Sequence, residues 1–217
     1  MVIRVLLTSP KGGVGKSMLT RNLAVAAAWD GAKVATADLD PQATLTIWSR
    51  RRPKDVPQIP HYRVEWIDSD ALLNDSELKP HELILIDTPP SIETQPKAFS
   101  GLLAASDIAI VPCRPTFDDA ESAAPFLKHL RDDGRKAIVV LNFVKPRVNI
   151  NAIKSYLLEY GDICPIEVAD RTDYARAAAK GLGLMDIPNH IGVSEIEGVW
   201  KFIKGQVGRK RRGKAKN

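Results

Sequence analysis

The stretch SPKGGVGKSM, residues 9–18, decides the fold of this chain, because it sets three glycines and two lysines between an apolar run and a helical pattern. The run VIRVLL, residues 2–7, precedes it and is typical of a strand, and apolar residues at helical spacing follow it from Leu19 onward. A glycine-rich turn between a strand and a helix exposes consecutive backbone N–H groups at a helix N-terminus. The stretch therefore predicts a site for an anion, most often a phosphate.

The end of this stretch matches the phosphate-binding loop of nucleotide-binding proteins, in which Gly and four residues precede Gly-Lys-Ser/Thr. Gly15, Lys16 and Ser17 fit the pattern, whereas Pro10 occupies the position of the first glycine. Lys16 is predicted to reach the outer phosphates, and the Ser17 hydroxyl to ligate Mg²⁺. The residues predicted to contact the nucleotide are Lys11, Gly12, Gly13, Val14, Gly15, Lys16, Ser17 and Met18. A plain glycine turn is the alternative, and the flanking strand and helix favour the phosphate loop.

Apolar segments alternate with helical patterns along the chain. The predicted strands are Val2–Leu7, Lys33–Ala37, Arg63–Trp66, Leu83–Ile86, Ile108–Val111 and Ala137–Leu141. The predicted helices lie near residues 17–29, 93–105, 119–132 and 150–160. Continuous rather than alternating apolarity is typical of parallel strands that are covered on both faces. The sequence therefore predicts an α/β fold with a doubly wound, mostly parallel sheet and helices on both of its faces.

Three carboxylates follow predicted strands. Asp38 and Asp40 belong to ADLDPQ, after the second strand of the pattern, and Asp87 belongs to LILIDTPPS. Ligands of doubly wound sheets bind beyond the carboxyl ends of the strands, so these side chains are expected to face the phosphate loop. Magnesium prefers few carboxylates together with waters and phosphate oxygens. Ser17, Asp38 and Asp87 are therefore the predicted metal ligands; capping of the following helices is the alternative role for the carboxylates.

The positive charge is concentrated at the C-terminus. The chain has 31 Lys+Arg and 26 Asp+Glu, a formal net charge of +5, and residues 201–217 hold no acid. The basic residues of this segment are Lys201, Lys204, Arg209, Lys210, Arg211, Arg212, Lys214 and Lys216. Apolar residues at helical spacing predict a last helix that ends near Val207, so residues 1–207 are interpreted as one P-loop domain and 208–217 as a flexible basic tail. A solvated terminus and an arm that binds DNA phosphates both remain open for this tail.

Length and composition place the chain among cytoplasmic globular proteins. Its 217 residues are enough for one domain with a substantial core. Cys113 and Cys164 lie far apart, without metal or redox spacing, and are interpreted as reduced thiols. No apolar run approaches the roughly 20 residues that span a bilayer.

KGGVGKS, followed by DLDPQ and ILIDTPP in this order and spacing, resembles the ParA/MinD family of deviant Walker ATPases, and its small plasmid-partition members in particular. The resemblance covers roughly the first 145 residues. It implies ATP and Mg²⁺ as cofactors and a homodimer when ATP is bound. In the family, the lysine at the position of Lys11 crosses into the partner subunit and contacts the phosphates of its ATP. An exposed loop lysine is the alternative interpretation of Lys11.

The resemblance also implies roles for the strand-end residues. Asp38 and Asp40 position Mg²⁺ and the attacking water, Asp87 is the Walker B carboxylate, and Thr88–Ser91 senses hydrolysis. With Lys11 and Lys16, the first two carboxylates form the predicted catalytic set. Asn142, which follows the strand that ends at Leu141, is predicted to contact adenine, with packing at the strand end as the alternative.

The leading functional hypothesis is a partition ATPase. By resemblance, its ATP-bound dimer binds double-stranded DNA without sequence preference, and a centromere-binding ParB/ParG-like partner stimulates hydrolysis, so that plasmid or chromosomal DNA is segregated on the nucleoid. The tail has no aromatic residue, which argues against stacking on single strands. The other basic residues assigned to the DNA face are Arg50, Arg51, Arg52, Lys54, Arg171 and Arg176.

Two alternatives remain. A MinD-like positioning ATPase would place its last helix on anionic lipid. The segment after Val207 is interrupted by glycine and has no apolar residue bulkier than alanine, so no stable membrane association is expected. A ParA-like ATPase could also position a protein cargo on the nucleoid, and the sequence does not separate this function from DNA partition.

Overall fold

Eight parallel strands form the central sheet in the part of the chain that the computed structural model describes, residues 2–64, 80–90 and 92–214. They are β1 (Ile3–Leu7), β2 (Val34–Asp38), β3 (His61–Arg63), β4 (Leu83–Asp87), β5 (Ile108–Cys113), β6 (Ala137–Val144), β7 (Asp162–Ile163) and β8 (Val168–Ala169). Their order is β3-β2-β4-β1-β5-β6-β7, and β8 pairs with β6. All of these pairings are parallel, which confirms the predicted sheet.

Helices cover both faces of this sheet. They are α1 (Lys16–Trp29), α2 (Thr44–Arg50), α3 (Pro96–Ala105), α4 (Phe117–Asp132), α5 (Asn151–Leu158), α6 (Asp173–Ala179) and α7 (Val193–Lys214). One apolar cluster joins α1, α2, α6 and α7 to one face, and a second joins α3, α4 and α5 to the other. Every residue of β2, β4 and β5 is buried, which explains why the strands are continuously apolar in sequence.

The sequence pattern does not predict α2, α6, β7 or β8, and most predicted elements begin or end a few residues from their observed bounds. Two of these differences have a clear structural description. The predicted strand Arg63–Trp66 starts earlier, because β3 covers His61–Arg63; Trp66 lies outside the described residues. The helix predicted from residue 119 starts at Phe117, since the Thr116 hydroxyl accepts a hydrogen bond from the backbone N–H of Asp119 and caps α4.

The last helix extends past Val207. The backbone is helical through Lys214, so most of the segment interpreted as a flexible tail continues α7. Ile196, Val199 and Ile203 anchor this helix in the core. Two of the eight basic residues counted at the C-terminus are engaged in ion pairs, Lys201 with Glu197 and Lys204 with Asp30. No helix within the described ranges is both long and apolar enough to cross a bilayer.

The register of the central strands brings the predicted site residues together. Asp38 at the end of β2 is the cross-strand partner of Asp87 at the end of β4. Asp87 also pairs with Leu7, the last residue of β1, after which the glycine-rich loop begins. The loop and both carboxylates therefore lie at one edge of the sheet, as the sequence predicts.

Candidate functional site

The glycine-rich loop has a backbone that requires glycine. Gly13 and Gly15 have φ angles of 72° and 92°, in the left-handed region. A Cβ atom on Gly15 would lie 2.3 Å from Nδ2 of Asn142. Gly15 is also the N-cap of α1 and has no side chain that could cap the helix. The first N–H groups of α1 are therefore left for an anion in the loop.

Asn142 supports this loop from β6. It is fully buried, and its Nδ2 donates to the backbone oxygen of Val14 at 2.8 Å. Its Oδ1 has no hydrogen-bond partner. A buried acceptor without a donor is rare in native proteins and fits a group that a ligand completes. Adenine contact through this oxygen stays a prediction.

Arg114 is a residue of the site that sequence reasoning missed. Its Nη2 donates to the backbone oxygen of Gly13 at 2.5 Å, and its guanidinium lies 5.5 Å from the centroid of the Phe143 ring. Beside it is a cavity of about 490 Å³ lined by Arg114, Pro115, Thr116, Phe143, Lys145, Val148 and Asp170. The signal was available, since Arg114 directly follows β5 at the edge of the sheet that binds ligands.

The loop residues divide between the site and the core. Lys16 is 7% exposed, and its Nζ lies 3.4 Å from the backbone oxygen of Lys11. Val14 and Met18 are buried, and the Met18 side chain packs in the core cluster under α1. The predicted nucleotide contacts of these two residues can therefore come only from their backbone. Ser17 is half-buried at the start of α1.

Lys11 lies on the rim of the loop, more than a third exposed. Its Nζ donates to the backbone oxygen of Asp118 at 2.7 Å and lies 3.2 Å from Oδ1 of Asp119. Both acceptors belong to the first turn of α4. In this single chain the ammonium group is thus held beside its own phosphate loop by a second element.

Asp87 has the properties of a metal ligand. It is fully buried, its Oδ1 lies 3.5 Å from the Thr20 hydroxyl, and its Oδ2 has no hydrogen-bond partner. Burial raises the pKa of Asp87 to about 7; the Ser17 hydroxyl opposes this shift and the nearby carboxylate of Asp38 adds to it. A buried carboxylate with one unpartnered oxygen beside a phosphate loop fits Mg²⁺, which takes few protein ligands.

Asp38 is held by several protein donors. Its Oδ2 accepts hydrogen bonds from the backbone N–H and the hydroxyl of Thr46, at 2.8 and 2.7 Å. Its Oδ1 accepts from the backbone N–H of Asp40 at 3.0 Å and lies 3.5 Å from Nη1 of Arg63. Protein donors therefore contact both oxygens and tie Asp38 to Asp40 and to the start of α2. Each carboxylate oxygen has a second lone pair, so the metal-ligand role of Asp38 stays a prediction.

Asp40 is placed at the mouth of the site. Its side chain is half-buried, and its Oδ1 accepts from the backbone N–H of Gln42 at 2.9 Å. The switch segment begins at Thr88, which is buried and whose hydroxyl donates to the backbone oxygen of Leu7. Ser91, the last residue of the predicted switch, lies outside the described residues.

Two of the arginines assigned to a DNA face from the sequence are paired with carboxylates in the core or beside it. Arg52 forms a buried pair with Asp186, with side chains 3% and 0% exposed and Nη1 3.0 Å from Oδ2. Arg171 is paired with Glu195. Both guanidinium groups serve the fold, because nearby carboxylates neutralise them.

Basic residues are exposed at the ends of α2 and α6. Arg50, Arg51 and Lys54 are exposed, as is Lys180 at the end of α6. Gly181 brings the two segments together, since a Cβ there would lie 2.4 Å from the backbone of Arg51. We call Arg50, Arg51, Lys54 and Lys180 the basic patch.

This combination of parallel sheet, glycine loop and strand-end carboxylates has counterparts among known proteins. The sequence profile of the CobQ/CobB/MinD/ParA nucleotide binding domain matches residues 5–184. The chain belongs to this family. The match extends from β1 through all three sequence motifs, so the resemblance to ParA/MinD proteins is confirmed.

Named members of the family show how far the similarity extends. The protein ParA of Rhizobium radiobacter is 26% identical over 185 residues, which cover 79% of this chain and 80% of that protein. The maintenance of carboxysome distribution protein A of Gloeobacter kilaueensis is 29% identical over 190 residues, 83% of each chain. The septum site-determining protein MinD of Pyrococcus horikoshii, complexed with Mg-ADP, has a TM-score of 0.76 at 19% identity, covering 97% of this chain and 99% of that one. This last likeness shows the shared fold.

Proposed function

We propose that this chain is an ATP-hydrolysing switch whose ATP-bound form is a homodimer that binds double-stranded DNA without sequence preference. A centromere-binding ParB/ParG-like partner would stimulate hydrolysis, and the cycle would segregate plasmid or chromosomal DNA. The observation that carries the proposal is the position of Lys11. It is a second lysine of the phosphate loop that lies on the rim, where it can reach a partner subunit.

The residues around the loop fit ATP and Mg²⁺. Ser17 and Asp87 would hold the metal, since Asp87 has an unpartnered buried oxygen. The Mg-ADP complex of the Pyrococcus MinD supports a magnesium nucleotide as the ligand. When bound, Mg²⁺ neutralises charge on the phosphate oxygens. Lys16 and the N–H groups of α1 bind the phosphates, and Asp40 orients the attacking water. The cavity beside Arg114 and Phe143 is the proposed base and ribose site.

Lys11 would leave the first turn of α4 when two subunits close face to face. Its ammonium group then contacts the γ-phosphate of the partner's ATP in a water-poor interface, where a cation is most effective. Asp118 and Asp119, which hold Lys11 in the single chain, compete with this contact. Pairing therefore depends on the γ-phosphate, and hydrolysis releases the dimer.

The first test is the oligomeric state of Lys11→Ala, measured by analytical ultracentrifugation with ATP, with ADP and without nucleotide. We expect wild type to form dimers with ATP only. Lys11→Ala loses one charge-assisted contact at each of two sites, each worth about 1.5–3 kcal/mol, so its dimer should be at least about a hundredfold weaker. Lys128→Ala, which removes a surface lysine that forms an ion pair with Asp132, is the control and should dimerise like wild type. ATP-dependent pairing of Lys11→Ala at wild-type strength would refute the proposal.

A protein cargo is the second candidate, and the similarity to the carboxysome distribution protein supports it. Both candidates share the ATP-dependent dimer and the DNA-binding surface. They differ in the partner that stimulates hydrolysis. Capture of the partner by the ATP-bound dimer, followed by its identification as a DNA-binding or a compartment protein, separates them.

A further inference from the structure

A hydrogen-bonded chain of side chains runs through the sheet beside the nucleotide site. The Thr36 hydroxyl lies 2.9 Å from Nδ1 of His61, and Nε2 of the same ring lies 3.0 Å from the Thr46 hydroxyl. The Thr46 hydroxyl in turn lies 2.7 Å from Oδ2 of Asp38. The chain thus joins β2, β3 and α2 through one imidazole.

The direction of every hydrogen bond in this chain follows from its last member. A carboxylate only accepts, so Thr46 donates its single hydroxyl proton to Asp38. The Thr46 oxygen must then accept from His61, which places the ring proton on Nε2. Nδ1 is left as the acceptor for the Thr36 hydroxyl. Burial lowers the pKa of His61, which favours this neutral form of the ring.

Strand β3 supports Asp38 at two positions. In the register of β2 and β3, His61 pairs with Thr36, and Arg63 pairs with Asp38. His61 and Arg63 are two residues apart and lie on the same face of the strand. Nη1 of Arg63 donates to the backbone oxygen of Asp38 at 2.9 Å, and the imidazole orients Thr46 against its carboxylate.

The other end of this network is Asp40, the residue to which the proposed function gives the attacking water. Oδ1 of Asp38 accepts the backbone N–H of Asp40 at 3.0 Å, and Oδ2 accepts the backbone N–H of Thr46 at 2.8 Å. The carboxylate therefore closes the turn between β2 and α2 that presents Asp40. A shift of Asp38 moves the Asp40 backbone directly, without any change in the phosphate loop.

We propose that His61 is a positioning residue for nucleotide hydrolysis: with its proton on Nε2, it orients Thr46 to hold Asp38, which in turn places Asp40. This inference rests on the proposed function, because it concerns the hydrolysis step. It assigns His61 no contact with the nucleotide. Loss of the imidazole should therefore lower the rate of hydrolysis and leave ATP binding in place.

The tautomer is tested on the nucleotide-free protein, independently of activity. Nitrogen-15 NMR of the imidazole rings, with His61→Gln to assign the signal, should show His61 neutral and protonated at Nε2 at neutral pH. A signal of the Nδ1–H tautomer, or of a doubly protonated ring, would overturn the chain of donors and the inference with it.

The kinetic test compares His61→Phe with His61→Gln and with the control His81→Phe. Phenylalanine keeps a planar aromatic ring, slightly larger than imidazole, and removes both hydrogen bonds. We therefore expect kcat to fall about tenfold while the Kd for ATP stays within about twofold. Glutamine can still donate to Thr46 and should restore a large part of kcat. His81 bonds to Tyr62, outside this network, and its variant should hydrolyse ATP like wild type.

Thermal unfolding of each variant separates positioning from simple destabilisation. Two results would overturn this inference without affecting the proposed function. One is a folded His61→Phe variant with the kcat of wild type; the other is a His61→Gln variant that loses as much kcat and as much Tm as His61→Phe does. Absence of ATP hydrolysis by wild type would overturn the proposed function as well, so the two failures are distinguishable.

Discussion

Single residues decide whether the phosphate loop can form. Gly15 combines a left-handed backbone, contact with Asn142 and the N-cap position of α1. Asp87 combines complete burial with an unpartnered oxygen. Glycine adopts the left-handed backbone without strain, so Gly15 fits this position at little cost. The buried, unpartnered oxygen of Asp87 does cost stability in the free protein, and a bound metal ion would relieve that cost.

Gly15→Ala should abolish ATP binding and lower the free energy of unfolding by about 1–3 kcal/mol. The reason is both the φ angle of 92° and the 2.3 Å approach of the new Cβ to Asn142. Gly205→Ala is the matched control, because Gly205 is helical in α7 and has open space around it. Alanine there should stabilise by up to about 1 kcal/mol. Urea unfolding measures the stability of both variants, and ATP titration measures their affinity for ATP. A folded Gly15→Ala variant that binds ATP as tightly as wild type would contradict this account of the loop.

Asp87 should make the nucleotide-free protein lose stability as the pH rises. Burial raises the pKa of Asp87 from 3.8 to about 7, so the folded state binds this proton more tightly than the unfolded state. The stabilising contribution is complete below pH 3.8 and is lost as the pH approaches about 7. Without nucleotide, we expect Asp87→Asn to have a higher Tm than wild type at pH 8, with a smaller difference at pH 5. Addition of Mg²⁺ and ATP should raise the Tm of wild type but not that of Asp87→Asn. Equal Tm profiles for the two proteins would contradict this account.

At the scale of elements, ion pairs and caps set how helices attach to the sheet. Arg52 at the end of α2 contacts Asp186 through both of its terminal nitrogens, at 3.0 and 3.2 Å. Asp186 also accepts from the backbone N–H of Gly183 and from Nε1 of Trp29. This carboxylate therefore ties α1, α2 and the segment after α6 together.

Arg52→Met should cost about 3–5 kcal/mol of unfolding free energy, because it leaves the Asp186 carboxylate buried without its cation. Arg51→Met, next to it in sequence and exposed, should change stability by about 0.5 kcal/mol or less. Chemical denaturation compares the two variants. A small loss for Arg52→Met would mean that the pair contributes little to holding α2.

At the scale of the whole molecule, charge is distributed over separate surfaces. The basic patch lies at the junction of the α2 end with the α6 end, and the continuation of α7 adds a second basic segment. Dimerisation would double both surfaces. Phosphate contacts add in the exponent of the salt dependence, so a dimer should hold DNA far more strongly than a single chain.

Removal of residues 208–217 should weaken DNA binding and leave folding intact. Val207 is buried in the core, so the cut falls just after a residue that anchors α7. The truncation deletes six basic residues, and each lost phosphate contact should reduce the salt slope of log K by about 0.9. A tail of the same length with glutamine in place of these six is the control for length. If the salt slope of log K does not change, the tail is a solvated terminus that makes no phosphate contact. If the ATP-bound protein binds anionic vesicles instead of DNA, the membrane alternative is favoured.

The sequence by itself determined the alternation of the main strands and helices, the parallel sheet, the glycine-rich loop and the position of Asp87 at a strand end. These features are written in local patterns, because strand apolarity, helical spacing and a glycine turn depend on neighbours along the chain. The sequence did not predict the short elements α2, α6, β7 and β8. The motifs lie close together because the carboxyl ends of parallel strands meet at one edge of the sheet, where ligands bind.

Only the tertiary structure decided which polar side chains meet. Arg52 looked like part of a basic run until its partner 134 residues away was seen, and Arg114 joins a loop 101 residues before it. Nothing in the sequence indicates that Thr46 and Arg63 contact the carboxylate of Asp38. The reason is physical, because the spacing of charged and polar residues along the chain does not indicate which distant residue each one contacts. The fold sets those contacts, and they decide which of several possible roles a given arginine or aspartate has.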